Sequence, residues 1–168
     1  MKVRIRRQRR KSMAMRLTPG GVEVLIPALL DEESEEVKGF IQEGLKRLSG
    51  EPLPAICASP WDRGYILKVV KRWAEKLGVE VKRVYLRQMN KKWASCSGKG
   101  VLTLNRDITL LPQELLDYLI CHELIHIKIP NHGKNFKTLM ASYIPNWRER
   151  HKNLMLYTLK NKELKLKM

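Results

Sequence analysis

The sequence predicts an α+β fold, and three observations carry that expectation. Apolar residues alternate with polar ones near the N-terminus and again across residues 79–105, a period of two that marks strands. Between and after these stretches apolar residues recur at helical spacing. One such stretch ends in Cys121-His122-Glu123-Leu124-Ile125-His126, where two histidines four apart lie one above the other on a helix face.

In chain order, Met1 to about Arg16 holds Lys2, Arg4, Arg6, Arg7, Arg9, Arg10 and Lys11 without an acid, and Val3 and Ile5 alternate within it. Met13, Met15 and Leu17 continue that alternation. Thr18-Pro19-Gly20-Gly21 is a turn, and Val22, Val24 and Ile26 resume the period, so residues 12–26 are predicted to form a basic β-hairpin. Asp31 or Ser34 can cap a helix with an acidic first turn and an inner face of Val37, Phe40, Ile41, Leu45 and Leu48, ending at Ser49-Gly50. Pro52, Pro54 and Pro60 make Glu51 to Pro60 a loop and the one candidate linker. A second amphipathic helix spans Asp62 to Leu77, with Gly78 as its C-cap.

Val79, Val81, Val84 and Leu86 suggest a strand, and the run from Arg87 to Ser97 is rich in turn formers. A further strand covers Lys99 to Asn105. Pro112 opens the helix that carries the histidines, with Leu115, Leu116, Leu119 and Ile120 turned inward. A short helix follows over Lys134 to Ser142, Pro145-Asn146 breaks it, and a last helix starts near Trp147. The 168 residues suit one domain, 1–168, with a hairpin-plus-helix subregion over 1–50 and a core over 61–160.

Histidines at i and i+4 can bring ring nitrogens to one ion at roughly 2.0–2.1 Å, the zinc–nitrogen distance. An unbroken helix would carry His132 to the wrong side and about 9 Å further along the axis. Pro130 and the turn former Asn131 stop it, so His132 can swing back as a third ligand. His122, His126 and His132 then leave a fourth position open to water, as in catalytic zinc sites, and Glu123 stands beside the ion as a base. His151, the fourth histidine, is expected to be a surface or capping residue, and Cys121 points about 100° away from His122.

Lys and Arg number 33 against 17 Asp and Glu, a formal charge of +16 that attracts polyanions and leaves the basic hairpin as a possible nucleic-acid surface. Cys57, Cys96 and Cys121 are an odd set without metal spacing, as free thiols in a reducing compartment would be. No apolar run is long enough for a bilayer and no leader is evident, so a cytoplasmic location and no membrane contact are expected.

The order Arg87, Met89-Asn90-Lys91-Lys92-Trp93-Ala94-Ser95-Cys96-Ser97, Gly100, Leu104-Asn105, Asp117-Tyr118-Leu119-Ile120-Cys121-His122-Glu123-Leu124-Ile125-His126, Asn131-His132-Gly133 and Phe136 resembles the YgjP-like zinc metallopeptidases, related to the SprT/Spartan-type proteases. The likeness is close over about 80–155, with Ala94 where that family usually has Gly. It implies a zincin-like fold with a small antiparallel or mixed sheet packed on the active-site helix. It also implies Zn2+ on His122, His126 and His132, and Glu123 as catalytic acid/base.

The expected activity is therefore zinc-dependent hydrolysis of peptide bonds in a protein or peptide substrate, by a metal-activated water with Glu123 as general base. Tyr143 and Arg148 are candidates for stabilising the oxyanion, and the strand Val101 to Asn105 for offering an edge to an extended substrate. The alternatives are a basic nucleic-acid-binding protein braced by a structural zinc, or a DNA-associated protease acting on DNA-bound proteins.

Overall fold

The computed structural model describes residues 2–18, 21–50, 60–89 and 92–166, with side chains as far as 158. Pro19 and Gly20 of the predicted turn, residues 51–59 of the candidate linker, and Cys57 fall outside that range. The fold is α+β, and its contacts divide it into two units, with the last helix beginning in one and ending in the other.

The first unit is built on a three-stranded sheet of β1 (Val3–Gln8), β2 (Ala14–Thr18) and β3 (Gly21–Pro27). β3 lies in the middle, antiparallel to β2 as the hairpin reading required, and parallel to β1. Alternation sends Val22, Val24 and Ile26 inward, where they meet Val37 of α1 (Glu35–Gly50) with Val3, Ile5, Met15, Phe40, Ile41 and Leu45 around them. Ser34 caps α1: its Oγ accepts from the Val37 N–H at 3.4 Å. Glu23 sits opposite Arg16 and Arg4 in the register and pairs with Arg16 and, at 4.0 Å, with Arg6. Arg7 pairs with Glu32 at 3.1 Å. Part of the basic lead is thus neutralised within its own unit.

The second unit holds α2 (Arg63–Leu77), β4 (Arg83–Arg87), β5 (Ala94–Cys96), β6 (Val101–Asn105), a 3-10 helix (Arg106–Leu110), α3 (Gln113–Ile125), α4 (Lys134–Tyr143) and the start of α5 (Trp147–Leu166). Asp62 caps α2 by accepting from the Tyr65 N–H at 2.6 Å. At the other end Gly78 takes φ 61°, Gly78 N–H bonds to Glu75 O, and Val79 N–H bonds to Ala74 O at 3.0 Å. That closing motif uses Val79, which is why the strand expected from residue 79 begins only at Arg83.

β6 is the central strand, parallel to β4 and antiparallel to β5. This corrects the expectation that Val101 to Asn105 offers a free edge: both of its sides are paired. β4 and β5 take the edges instead, β5 inside a stretch read as turns. Gly100 makes the tight entry to β6 possible, since a Cβ there, at φ 78°, would lie 2.6 Å from Glu80 O. Asn105 is buried at the exit of β6. Its Nδ2 donates to Met89 O at 2.7 Å and Lys92 O at 3.2 Å, while its Oδ1 accepts from Asp107 N–H at 3.2 Å.

α3 is buried on nearly all sides, through Leu115, Leu116, Tyr118, Leu119, Ile120, Cys121, Leu124 and Ile125, so it forms the axis of this unit. Asp117 ties it to α2, accepting from Trp73 Nε1 at 2.7 Å, from Arg72, and from Gln113 Nε2 at 3.0 Å. Among the described residues no helix is long and apolar enough to cross a membrane.

Candidate metal centre

α3 ends at Ile125, and His126 is its C-cap. The N–H groups of His126, Ile127 and Lys128 bond back only three residues, to Glu123, Leu124 and Ile125, which tightens the last turn before Pro130. The chain then reverses through Asn131, whose Oδ1 accepts from Gly133 N–H at 3.3 Å, and enters α4. The reversal carries His132 back over the helix end. His132 Nε2 lies 3.0 Å from His122 Nε2 and 3.1 Å from His126 Nε2. Two nitrogens on one tetrahedral ion at 2.0–2.1 Å would stand roughly 3.3 Å apart.

The chemistry of the donors fits a cation. His126 Nδ1 lies 3.0 Å from Ile129 O, a carbonyl that only accepts, so Nδ1 carries the proton and Nε2 presents its lone pair to the cluster. His122 is pushed down to about 3, by burial first and then by His126, His132 and His151, so it is neutral and able to ligate. His132 is lowered by burial first and then by His126, His151 and Lys137. Phe136 of α4 forms an apolar floor, its ring centroid 5.0, 4.9 and 4.7 Å from those of His122, His126 and His132. Among the described residues these three histidines are the one group of His, Cys, Asp or Glu placed to hold a metal.

Glu123 follows His122 on α3 and is turned about 100° from it. Burial pushes its carboxyl up to about 7, against the Cys96 backbone N–H it accepts from and the Lys92 ammonium nearby. Trp93 O and Ser97 N–H bond to β6, through Asn105 N–H and Val101 O, so the alternate backbone groups of Ala94 and Cys96 face the free edge. Glu123 occupies the Cys96 end of that edge.

The YgjP-like metallopeptidase domain matches residues 62–157, more than half of the sequence. The chain belongs to the YgjP-like metallopeptidase family. A solved structure of the metallopeptidase zymogen abylysin of Pyrococcus abyssi is similar over 54% of this YgjP-like chain and 91% of that chain, at 24% identity and a TM-score of 0.50, a likeness of fold. The metallopeptidase zymogen jannalysin of Methanocaldococcus jannaschii aligns over 54% and 93% of the two chains, at 32% identity and a TM-score of 0.49. No curated protein matches the sequence.

In this YgjP-like chain the two residues expected to serve an oxyanion are engaged elsewhere. Tyr143 donates its hydroxyl to Lys76 O at 3.0 Å and packs edge-on against Trp73, and Arg148 stacks on Trp147. His151 was expected at the surface. It is exposed, yet its Nδ1 lies 2.9 Å from Tyr118 Oη, whose oxygen is also 3.3 Å from His122 Nδ1. Tyr118, His151, Phe136 and the Cys96 N–H are thus parts of the site that sequence reading did not assign. Tyr118 alone had a local signal, being four residues before His122 on one helix face.

Proposed function

We propose that this YgjP-like metallopeptidase hydrolyses peptide bonds within protein or peptide substrates, with Zn2+ held by His122, His126 and His132 and with Glu123 as general base. The observation that carries the reading is the convergence of three imidazole Nε2 atoms beside a buried carboxylate. A zinc ion so held supplies Lewis acidity, polarising the scissile carbonyl and lowering the pKa of water toward about 7. Glu123, itself poised at about 7, accepts the proton of the attacking water and hands it to the leaving amine. A base near the working pH does both halves of that task well.

The outward backbone groups of Ala94, on the free edge of β5, are the place where an extended peptide would add as a further strand. That pairing lays the substrate backbone alongside Glu123, with no demand on its side chains. The test is direct. Purified protein should contain about one zinc per chain and cleave an unfolded protein substrate; 1,10-phenanthroline should stop cleavage and added Zn2+ restore it. Cleavage that persists at full rate in the metal-stripped protein would refute the proposal.

A further inference from the structure

Three of the four histidines in the sequence converge through Nε2; the fourth, His151, reaches the same cluster from behind, through a phenol. We propose that His151 is a positioning residue: by accepting the hydrogen bond of the Tyr118 hydroxyl, it holds His122 in the one ring form that can bind a metal. This rests on the metal-binding reading above.

The direction of each hydrogen bond follows from one requirement. To give a lone pair to a cation, His122 Nε2 must carry no proton, and a neutral imidazole has one N–H, so the proton sits on Nδ1. Nδ1 is 3.3 Å from Tyr118 Oη, so the phenol oxygen accepts there. The phenol's own hydrogen must then point elsewhere. His151 Nδ1, 2.9 Å away, is the acceptor that takes it, which in turn places the His151 proton on Nε2. The chain of donors runs one way, from His122 to Tyr118 to His151.

Without an acceptor at 151 the Tyr118 hydroxyl is free to rotate and donate to His122 Nδ1. That reversal moves the imidazole proton to Nε2, where it covers the lone pair that faces His126 and His132. A phenol alone cannot choose, because it donates and accepts with equal ease. The choice is made by what lies behind it. The frame is stiff: Tyr118 is buried and precedes His122 by one helical turn, and Arg150 Nη1, next to His151, donates to Glu114 O at 3.2 Å and so ties the start of α5 to α3. The three rings pack as well, Tyr118 lying 5.7 Å from His122 and 6.1 Å from His151 between centroids.

The test measures Zn2+ affinity by competition with a chromophoric chelator for the wild type, His151→Leu, His151→Gln, Tyr118→Phe and the double variant Tyr118→Phe/His151→Leu. The melting temperature of each metal-free protein is recorded beside it. His151→Leu should weaken affinity by about 10–100-fold, as loss of a ligand's outer partner does, while His151→Gln, whose Oε1 accepts, stays within a few-fold of wild type. The double variant should bind no more weakly than Tyr118→Phe alone, because His151 acts only through the phenol. Metal-free melting should be unchanged at this exposed position; should His151→Leu fail to fold, His151→Ala takes its place in the same comparison. Equal affinity of wild type and His151→Leu, failure of His151→Gln to rescue, or losses that simply add would overturn the relay while the metal centre stands. A wild-type protein that binds no Zn2+ would overturn both.

Discussion

Glu123 is held between opposing effects: burial favours its neutral form, and the Cys96 N–H with the Lys92 charge favours the ionised one. Burial wins, and the carboxyl rises from 4.5 to about 7. A carboxyl raised on folding contributes stability that is full below its unfolded value and is lost as pH rises through the folded one. The metal-free protein should therefore lose stability between about pH 4.5 and about 7 through this group, and Glu123→Gln should melt higher than wild type at pH 8 but not at pH 4. In the zinc-loaded enzyme the same substitution should lower kcat by about 10²–10⁴-fold, the range of a lost general base, while zinc content measured by atomic absorption stays at one per chain. Asn105 is the other residue with a legible cost. Asn105→Ala strands the carbonyls of Met89 and Lys92 and should destabilise by about 2 kcal/mol in urea unfolding.

Among the elements, those with a cap and a long apolar period were visible in advance. Asp62 and Gly78 bracket α2, Pro112 precedes α3, and Pro130 with Asn131 stops it short of His132. β5 was not visible, because three residues are too few to show a period and Ser95 and Ser97 read as turn formers. Its pairing partner, β6, follows only after the Gly98–Gly100 turn. The edge expected at β6 came from the family resemblance, and with β5 out of view nothing in the sequence marked β6 as paired on both sides. His151 is at the surface as expected, but its link to the site was hidden because its partner Tyr118 is 33 residues away, beyond any local spacing rule. The β5–β6 turn gives a paired prediction. Gly98→Ala meets open space and should change stability by less than about 0.5 kcal/mol. Gly100→Ala combines positive φ with a clash against Glu80 O and should cost about 2 kcal/mol or more. Denaturant titration of both variants checks the contrast.

For the whole molecule, a metal held by the three histidines would join the end of α3 to the reversal after it and, through Tyr118, brace the start of α5. Ligation by residues from separate segments couples binding to folding. Free Zn2+ at 100 times its dissociation constant should add about 2.7 kcal/mol and raise the melting temperature by roughly 5–10 °C for a chain of this size, as scanning calorimetry would record. The +16 net charge is a property of the same scale, and the basic lead and hairpin neutralise part of it against Glu23 and Glu32. Charge alone predicts an encounter rate that falls with salt, not a partner.

The atom that steadies Glu123 belongs to the main chain. Any residue but one offers that amide hydrogen, so position 96 can drift through serine, alanine or valine without loosening the base, and no comparison of side chains there would reveal its importance. Proline is the exception: Cys96→Pro removes the hydrogen and leaves the β5–β6 pairing intact, since the Cys96 N–H faces away from β6. A position indifferent to chemistry yet closed to a single imino acid is the trace this contact would leave.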